Sequence, residues 1–275
     1  MLIVFVFLVL PIILSLALSF TDWNALNWKF HFVGLHNYRF ILATGAFWQV
    51  IGNTLFLTLV YTVLLNVLAL IIASVVYRMK QRIGSLCKSA MFLPNLLAPV
   101  VVGFIWLLMY QYSNGIINKI LGSFGVGKIN WLGSPHLVLP SISVTCVWFA
   151  LGYYLMIYIA GMTTIPKELY ECADVEGANG FQKFFKITLP MLAPSITINV
   201  ILSTIGALAI FEEPMVMTNG GPGNLSETLG LQIYHMAYTK LNQGAALATA
   251  MFMIILALII AFAEFAILKR REDIY

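Results

Sequence analysis

Two adjacent carboxylates, Glu212 and Glu213, lie near the end of a long apolar run and directly precede Pro214. An ionisable side chain inside a membrane is costly and by default marks a functional site. Carboxylates accept hydrogen bonds from hydroxyl groups, and their negative charge disfavours anionic ligands. The pair therefore predicts contact with a hydroxyl-bearing solute that carries no negative charge. The alternative is that both acids lie at the membrane surface, where water hydrates them.

Three further polar side chains are candidates for the same solute path. Tyr153 belongs to a run of aromatic residues, although such a run more often packs helices or forms an interfacial belt. Ser203 offers a hydroxyl in the middle of an apolar segment, and Asn95 lies between two prolines in another. Glu264 is expected to reach the aqueous surface or to pair with Lys269, and it is given no part in the path.

The most polar part of the chain, residues 165–193, predicts two short helices joined by a turn, and we call it the elbow. Pro166 suits the first turn of a helix, because its missing N–H has no partner there. Gly177 and Gly180 interrupt this helix. A second helix is expected over residues 181–190.

The first half of the elbow is acidic. Lys167 is its one basic residue, against the four acids Glu168, Glu171, Asp174 and Glu176. Helices that rest on lipid headgroups are usually rich in lysine and arginine. The charge therefore favours a surface that docks a basic protein over a connector that lies on lipid.

Composition indicates which elements must position these residues. Hydrophobic residues make up 61% of the 275-residue chain and charged residues 9%, whereas soluble domains carry about 25% charged residues. A membrane-spanning helix needs about 20 apolar residues. The sequence therefore predicts an all-α, polytopic membrane protein with about six transmembrane helices in a single transmembrane domain over residues 1–275. The spans are expected at residues 1–20, 50–77, 88–110, 140–163, 194–217 and 245–268.

The lysines and arginines between the spans predict the orientation. With the N-terminus inside, the inner segments hold ten of them and the outer loops five. Because positive residues concentrate on the cytoplasmic side, both termini and the elbow are expected in the cytoplasm. The inner ten are Arg78, Lys80, Arg82, Lys88, Lys167, Lys183, Lys186, Lys269, Arg270 and Arg271, and the outer five are Lys29, Arg39, Lys119, Lys128 and Lys240.

Motifs for other chemistries are missing or incomplete. Residues 122–128 match the first seven positions of a phosphate-binding P-loop, but Ile129 replaces the magnesium-binding hydroxyl, and no buried strand precedes them. Any ATP is therefore expected to be hydrolysed by another chain. The four histidines and three cysteines show no metal-site spacing, and the net charge of +4 gives no reason to expect nucleic acid. No nucleophile–base pair suggests an enzyme.

The spacing Glu171-Cys-Ala-x3-Gly177-x9-Ile187-x-Leu-Pro190 resembles the E-A-A-x3-G-x9-I-x-L-P loop of importer permeases in the ATP-binding cassette superfamily. One position departs from that pattern, with Cys172 in place of the usual alanine. The resemblance implies that the elbow is a coupling helix that sits in a groove of the ATPase subunit. The residues that would make or shape the contact are Glu168, Glu171, Cys172, Ala173, Gly177 and Ala178.

Two further stretches resemble the carbohydrate branch of these permeases. They are Phe32-Val-Gly-Leu-His-Asn-Tyr38 and the segment from Phe211 to Pro222 that ends in Gly-Gly-Pro. The resemblance implies a prokaryotic cytoplasmic-membrane permease that imports a sugar or oligosaccharide by alternating access. Its implied partners are a second, different permease chain, a cytoplasmic ATPase dimer that binds ATP and Mg²⁺, and an extracytoplasmic solute-binding protein. The cavity-lining residues it implies are Tyr153, Ser203, Glu212 and Glu213, whereas Asn95 is a candidate from its position between two prolines alone.

Two alternatives of other classes have less support. A self-sufficient secondary carrier predicts inverted repeats and a paired ion-coupling site, and the sequence shows neither. A membrane enzyme would need a catalytic constellation, and the sequence shows none. For Gly220-Gly-Pro222, a plain turn is as good an explanation as a contact with a binding protein.

Overall fold

The computed structural model of the chain describes residues 2–26 and 29–272, and most of these residues are helical. In chain order the helices are α1 (Leu2–Val4, a π-helical turn at Phe5–Val9, and Leu10–Leu18), α2 (His36–Ala43), α3 (Gly45–Tyr77), α4 (Gln81–Phe92), α5 (Pro99–Met109), α6 (Ile116–Ser123), α7 (Val138–Thr163), α8 (Lys167–Val175), α9 (Gly180–Met191, with a π-helical turn at Phe184–Thr188), α10 (Ala193–Leu208), α11 (Glu212–Thr218), α12 (Leu229–Tyr234, continued by a π-helical turn at His235–Thr239) and α13 (Gln243–Glu272).

Three of these helices, α3, α7 and α13, are individually long and apolar enough to cross a membrane within the described residues. Two bent pairs, α4 with α5 and α9 with α10, raise the number to five if each pair is one span. The remaining predicted span, residues 1–20, corresponds to the shorter apolar helix Phe5–Leu18 in α1. The predicted all-helical membrane architecture is confirmed, and the differences concern how individual spans are built.

The third predicted span, residues 88–110, is a broken helix and not a straight one. The chain from Gln81 to Leu96 meets α5 at an angle of 98°. A 3₁₀ turn at Leu93–Leu96 ends α4, and Ala98 is extended with ψ 140°. Because a residue before proline is pushed out of the α region, Ala98 cannot continue the helix into Pro99. The sequence-based prediction placed both prolines in one continuous span and did not include this bend.

The fifth predicted span, residues 194–217, is also divided. α10 ends at Leu208, and Glu212 and Glu213 begin the separate short helix α11. At its other end α10 meets α9 at 68°. The two acids are therefore at the start of a helix beside the span, where the helix dipole favours negative charge.

The main core lies between α3 and α7. Leu57, Leu65, Ile142 and Leu155 are fully buried there. Gly152 allows a close approach between α7 and the end of α4: a Cβ atom at this position would overlap the Met91 carbonyl oxygen and lie 2.6 Å from Phe92 Cα. The bend of the third span is thus packed directly on α7.

Polar side chains cross-link three helices inside this core. Asn66 on α3 accepts a hydrogen bond from the Tyr158 hydroxyl of α7 at 2.7 Å and donates one to Ser203 Oγ of α10 at 2.9 Å. One residue further along α10, Thr204 donates to Glu264 Oε1 of α13 at 2.8 Å. Such bonds between spans keep polar groups satisfied where water is excluded.

The expectation that Glu264 pairs with Lys269 is wrong. Glu264 is half-buried and is bonded to Thr204, and Lys269 Nζ lies 5.4 Å from the centre of the Phe265 ring. One turn of helix separates the two residues, but Glu264 faces α10, so its partner is a residue from another span. Hydropathy and local spacing cannot identify such a partner.

The loop 219–228 is fixed to the start of α3, at the end of the bundle that lies opposite the elbow. Asn53 Nδ2 donates to the carbonyl oxygens of Asn224 and Glu227 at 2.8 and 3.0 Å. Thr54 Oγ1 accepts from the N–H of Leu229 at 2.9 Å. The loop that carries the Gly-Gly-Pro element is therefore held by side chains of a membrane helix.

Candidate functional site

The elbow is built by two helix caps in succession. α8 starts after Pro166, which occupies the N-cap position and not the first helical turn predicted for it. Gly177 ends α8 with φ +76°; its N–H bonds to the Asp174 carbonyl at 3.1 Å and the N–H of Ala178 to the Ala173 carbonyl at 2.9 Å. These two bonds form a Schellman motif, which places a glycine in the left-handed conformation after the helix.

The second helix of the elbow begins with a capping box. Asn179 and Gln182 each accept the other's backbone N–H on their side-chain oxygens, at 2.8 and 2.9 Å. This arrangement satisfies N–H groups that the first turn of a helix otherwise leaves without partners. α9 therefore starts at Gly180, one residue before the predicted start, and continues past the predicted end at Pro190 to Met191.

One face of α8 packs on the rest of the protein. The Tyr170 hydroxyl lies 2.9 Å from Thr188 Oγ1 of α9, and Ala173 is buried. The opposite face carries Glu168, Glu171 and Cys172, which are exposed. Of the side chains predicted for partner contact on α8, three point outward, and Ala173 packs against the protein.

A notch of about 330 Å³ lies between the two elbow helices. Ala173, Gly177 and Ala178 line it together with charged side chains, so the structure brings three of the predicted coupling residues into one concave surface. The acids Glu168 and Glu171 lie outside the lining of this notch. No ion pair joins either acid to another residue in the part of the chain that the structure describes.

The elbow also carries exposed apolar side chains, which the sequence analysis did not identify. Val175 is 90% exposed and Phe181 is 73% exposed. The rings of Phe181 and Phe185 are in contact, with centroids 4.5 Å apart and planes tilted by 47°. Their spacing of four residues on a short helix is the signal that could have identified them. Large exposed apolar side chains beside unpaired acids are typical of an interaction surface.

The solute-path candidates occupy different surroundings. Tyr153 is 44% exposed and lines a cavity of about 490 Å³ between α4 and α7. Lys88, Phe92 and Met156 share this cavity, and its wall is mainly apolar. The cavity is formed where the bend of the third span meets α7. Neither Asn95 nor the two adjacent acids line it.

Asn95 and the acid pair both lie near α5. Asn95 is half-buried within the 3₁₀ turn before α5, and its side chain makes no hydrogen bond to a described residue. Glu213 is 4% exposed at the start of α11, and Glu212 is half-buried. α11 is held closely against α5, because a Cβ atom on Gly103 would lie 3.1 Å from Val216 Cβ.

Ser203 lies in the packing between α10 and α3. Its side chain is fully buried, and its hydroxyl donates to the Val200 carbonyl and accepts from Asn66. The hydroxyl therefore makes its hydrogen bonds within the contact between α10 and α3. Ser203 therefore helps to hold α10 to α3, and its contact with the solute path stays a prediction.

The P-loop-like residues 122–128 have the opposite context to a phosphate-binding loop. α6 ends at Ser123, so these residues follow a helix, whereas a P-loop follows a strand and opens a helix. The described residues also contain no group of three or more histidines, cysteines, aspartates or glutamates that could hold a metal ion.

A family model described as binding-protein-dependent transport system inner membrane component matches residues 65–273. The chain belongs to this family of transporter permeases. The match covers the elbow and every helix from α7 onwards, together with the bent third span. The family is one of membrane transport components and not of enzymes, as the sequence indicated.

Curated relatives cover nearly the whole permease. The trehalose/maltose transport system permease protein MalF of Thermococcus litoralis is 31% identical over 98% of this chain and 91% of the relative. The arabinooligosaccharides transport system permease protein AraP of Bacillus subtilis is 33% identical over 91% of this chain and 80% of the relative. The resemblance to carbohydrate-type permeases of the ATP-binding cassette superfamily is confirmed.

Solved structures support the same fold. A bacterial ABC transporter involved in the import of the acidic polysaccharide alginate matches with a TM-score of 0.84 and 21% identity, over 98% of this chain and 92% of the other. A structure of bacterial alginate ABC transporter in complex with alginate pentasaccharide-bound periplasmic protein matches with a TM-score of 0.86 and 20% identity. At this identity the likeness establishes the permease fold.

The cap at Gly177 gives a first testable prediction for the permease. Gly177→Ala forces a Cβ atom into the left-handed conformation, which costs about 1–2 kcal/mol. No atom lies within 4 Å of the added Cβ, so the cost is one of backbone conformation and not of crowding. We expect faster backbone amide exchange over residues 167–178 and a corresponding loss of transport.

Gly177→Asn is the matched control, because asparagine tolerates this conformation better than alanine does. It should restore most of the protection and activity. Equal loss in both variants would show that the position matters for a reason other than its backbone conformation.

Proposed function

We propose that the chain is a permease subunit of an ATP-driven importer that takes up a sugar or oligosaccharide. In this proposal an extracytoplasmic binding protein delivers the solute, and the permease moves it across the membrane by alternating access. The observation that carries the proposal is the elbow, which presents unpaired acids and exposed phenylalanines on a rigid double-capped frame. A second docked protein is the simplest account of such a surface.

The names of the relatives support a saccharide as the solute. They include permeases for trehalose/maltose, for arabinooligosaccharides and, in Thermoanaerobacterium thermosulfurigenes, for starch degradation products. These share many hydroxyl groups and differ in sugar identity and length. The adjacent acids Glu212 and Glu213 favour a solute of this chemistry without a negative charge.

The elbow would couple the permease to a cytoplasmic ATPase dimer that binds ATP and Mg²⁺. Glu168, Glu171 and Cys172 would meet this partner directly, and the notch lined by Ala173, Gly177 and Ala178 would receive one of its side chains. Closure of the ATPase dimer would then move α8 and α9. Because α9 is joined to α10 by a short bend, a movement of α9 would also displace α10, which is part of the fifth span.

Two further partners complete the proposed transporter. A second, different permease chain would pair with this one, and together they would enclose the solute path beside Tyr153, Asn95 and the acid pair. The binding protein would dock at the end of the bundle that carries loop 219–228. This arrangement requires a prokaryotic cytoplasmic membrane with both termini and the elbow on the cytoplasmic side.

The test is reconstitution into proteoliposomes with stepwise omission of components. Neighbouring reading frames should supply a second permease, a P-loop ATPase and a secreted binding protein for the experiment. Uptake of a radiolabelled cognate oligosaccharide should require all of them together with ATP. Omission of any one should reduce uptake to the level of empty vesicles.

The same experiment distinguishes the alternative of a self-sufficient secondary carrier. Such a carrier would transport solute in vesicles that contain this chain alone, driven by an ion gradient. Uptake under those conditions would refute the importer-subunit proposal. ATP-dependent uptake of amino acids with no uptake of saccharides would keep the importer and reject the carbohydrate solute.

A further inference from the structure

A second polar cavity lies where the end of α3 meets the elbow. Its volume is about 320 Å³, at the lower end of the range of about 300–1,000 Å³ for small-ligand sites. This size suits a compact group and excludes an oligosaccharide. The residues that line it are Ser74, Tyr77, Arg78, Met162, Tyr170, Gly180, Lys183 and Thr188.

Two cations share this cavity with four hydroxyl-bearing side chains and no acid in the lining. Arg78 has no ion pair with a described residue. Its guanidinium lies against the first residue of α9, where Nη1 would be 3.3 Å from a Cβ atom on Gly180. A planar guanidinium with free N–H groups is well suited to bind an anion with two oxygens.

Lys183 can contribute a second charge. Its side chain is 17% exposed, and its ammonium pairs with Asp174, which is 66% exposed. A pair with so exposed a partner contributes little, and an ammonium has three donors, so one bond to Asp174 leaves others available. The Tyr170 hydroxyl and Thr188 Oγ1 lie 2.9 Å apart at the same wall and form a neutral polar contact.

We propose that this cavity binds a phosphate group, held by Arg78 and Lys183, which links the end of α3 to the elbow. Two sources supply this chemistry: the headgroup of an anionic phospholipid and a free phosphate. The location of the cavity at the cytoplasmic membrane surface rests on the proposed orientation. Cations at that surface attract anionic lipid. A bound phosphate would hold α3 and α9 together, and it would thereby stiffen the elbow against the body of the permease.

The experiment measures ligand binding to the full chain in detergent, without any transport partner. Native mass spectrometry counts bound phosphatidylglycerol across a lipid titration, with and without about 10 mM inorganic phosphate as competitor, a concentration that suffices for a weak anion site. The variant is Arg78→Gln, which removes a charge-assisted contact. We expect its apparent lipid affinity to fall about tenfold or more.

Lys80→Gln is the matched control, because Lys80 is an exposed cation two residues away that does not line the cavity. It should change the affinity less than twofold if binding is local. Unchanged thermal unfolding of both variants would show that they are folded. An equal loss in the two variants would indicate general attraction to a basic surface and would overturn the proposal.

The other outcomes are also decisive. Competition by inorganic phosphate at the Arg78-dependent site identifies free phosphate as a ligand, whereas lipid binding that resists competition identifies the headgroup. Binding of neither, with ATPase-subunit association that depends on Arg78, would mean that the cavity receives a carboxylate of the ATPase, and the phosphate proposal would then be wrong. Because the binding assay needs no uptake, its failure leaves the importer function untouched.

Discussion

Glu171→Lys is expected to abolish ATP-driven uptake while the permease remains folded and inserted in the membrane. Glu171 is exposed on the outward face of α8 and makes no ion pair within the described chain. Its replacement therefore removes no ion pair that stabilises the folded state. A basic groove on the ATPase would meet a like charge, which costs several kcal/mol at an interface. Each 1.4 kcal/mol is about a tenfold change, so ATPase association and uptake should each fall at least about tenfold.

The measurements are co-purification of the ATPase subunit and uptake in proteoliposomes. Lys119→Glu is the control, because it also reverses the charge of an exposed helical residue but lies on α6, outside the elbow. ATPase association should survive in the control. If uptake and stimulated ATP hydrolysis both survive Glu171→Lys, the assignment of α8 as the docking surface is incorrect.

Gly152→Ala is expected to cause a large loss of folding stability through a single added methyl group. The new Cβ would overlap the Met91 carbonyl oxygen and lie 2.6 Å from Phe92 Cα, so the bent third span must move away from α7. Overpacking of this kind costs about 1–3 kcal/mol, and backbone has less freedom to yield than a side chain. The folded fraction after detergent extraction and the unfolding temperature should both decrease.

Gly52→Ala adds the same atom to α3, where no atom lies within 4 Å of the new Cβ. It should be neutral or stabilising by up to about 1 kcal/mol, because alanine is the better helix former. The two variants therefore have opposite expected signs for one chemical change. Equal effects would show that Gly152 does not set the distance between α7 and the third span.

The elbow was predictable from the sequence because its determinants are local. A proline starts α8, and Gly177 ends it with a cap that only a few residues tolerate. The acids on one face and their spacing relative to Pro190 also lie within one short segment. The sequence did not indicate that the rings of Phe181 and Phe185 are exposed, because their exposure depends on how α9 packs on the rest of the protein.

The solute path was less predictable because it depends on packing between spans. Asn95 lies between two prolines, and the chain bends by 98° at this point, where Ala98 is extended before Pro99. The sequence does not show that the end of α4 packs on α7 at Gly152. Ser203 is a hydroxyl-bearing residue in an apolar segment, which made it a candidate for contact with solute. In the structure it is fully buried and accepts a hydrogen bond from Asn66 of α3. Sequence periodicity gives the face of one helix and does not give the identity of the helix that covers it.

The length of α3 has a mechanical consequence. Its 33 residues extend about 50 Å, and because its backbone hydrogen bonds fix the rise per residue, it cannot shorten. Asn53 fastens one end to loop 219–228, and Arg78 reaches the first residue of α9 at the other. A stiff rod that tilts about its middle moves its two ends in opposite directions, so widening at the loop end would be accompanied by narrowing at the elbow end.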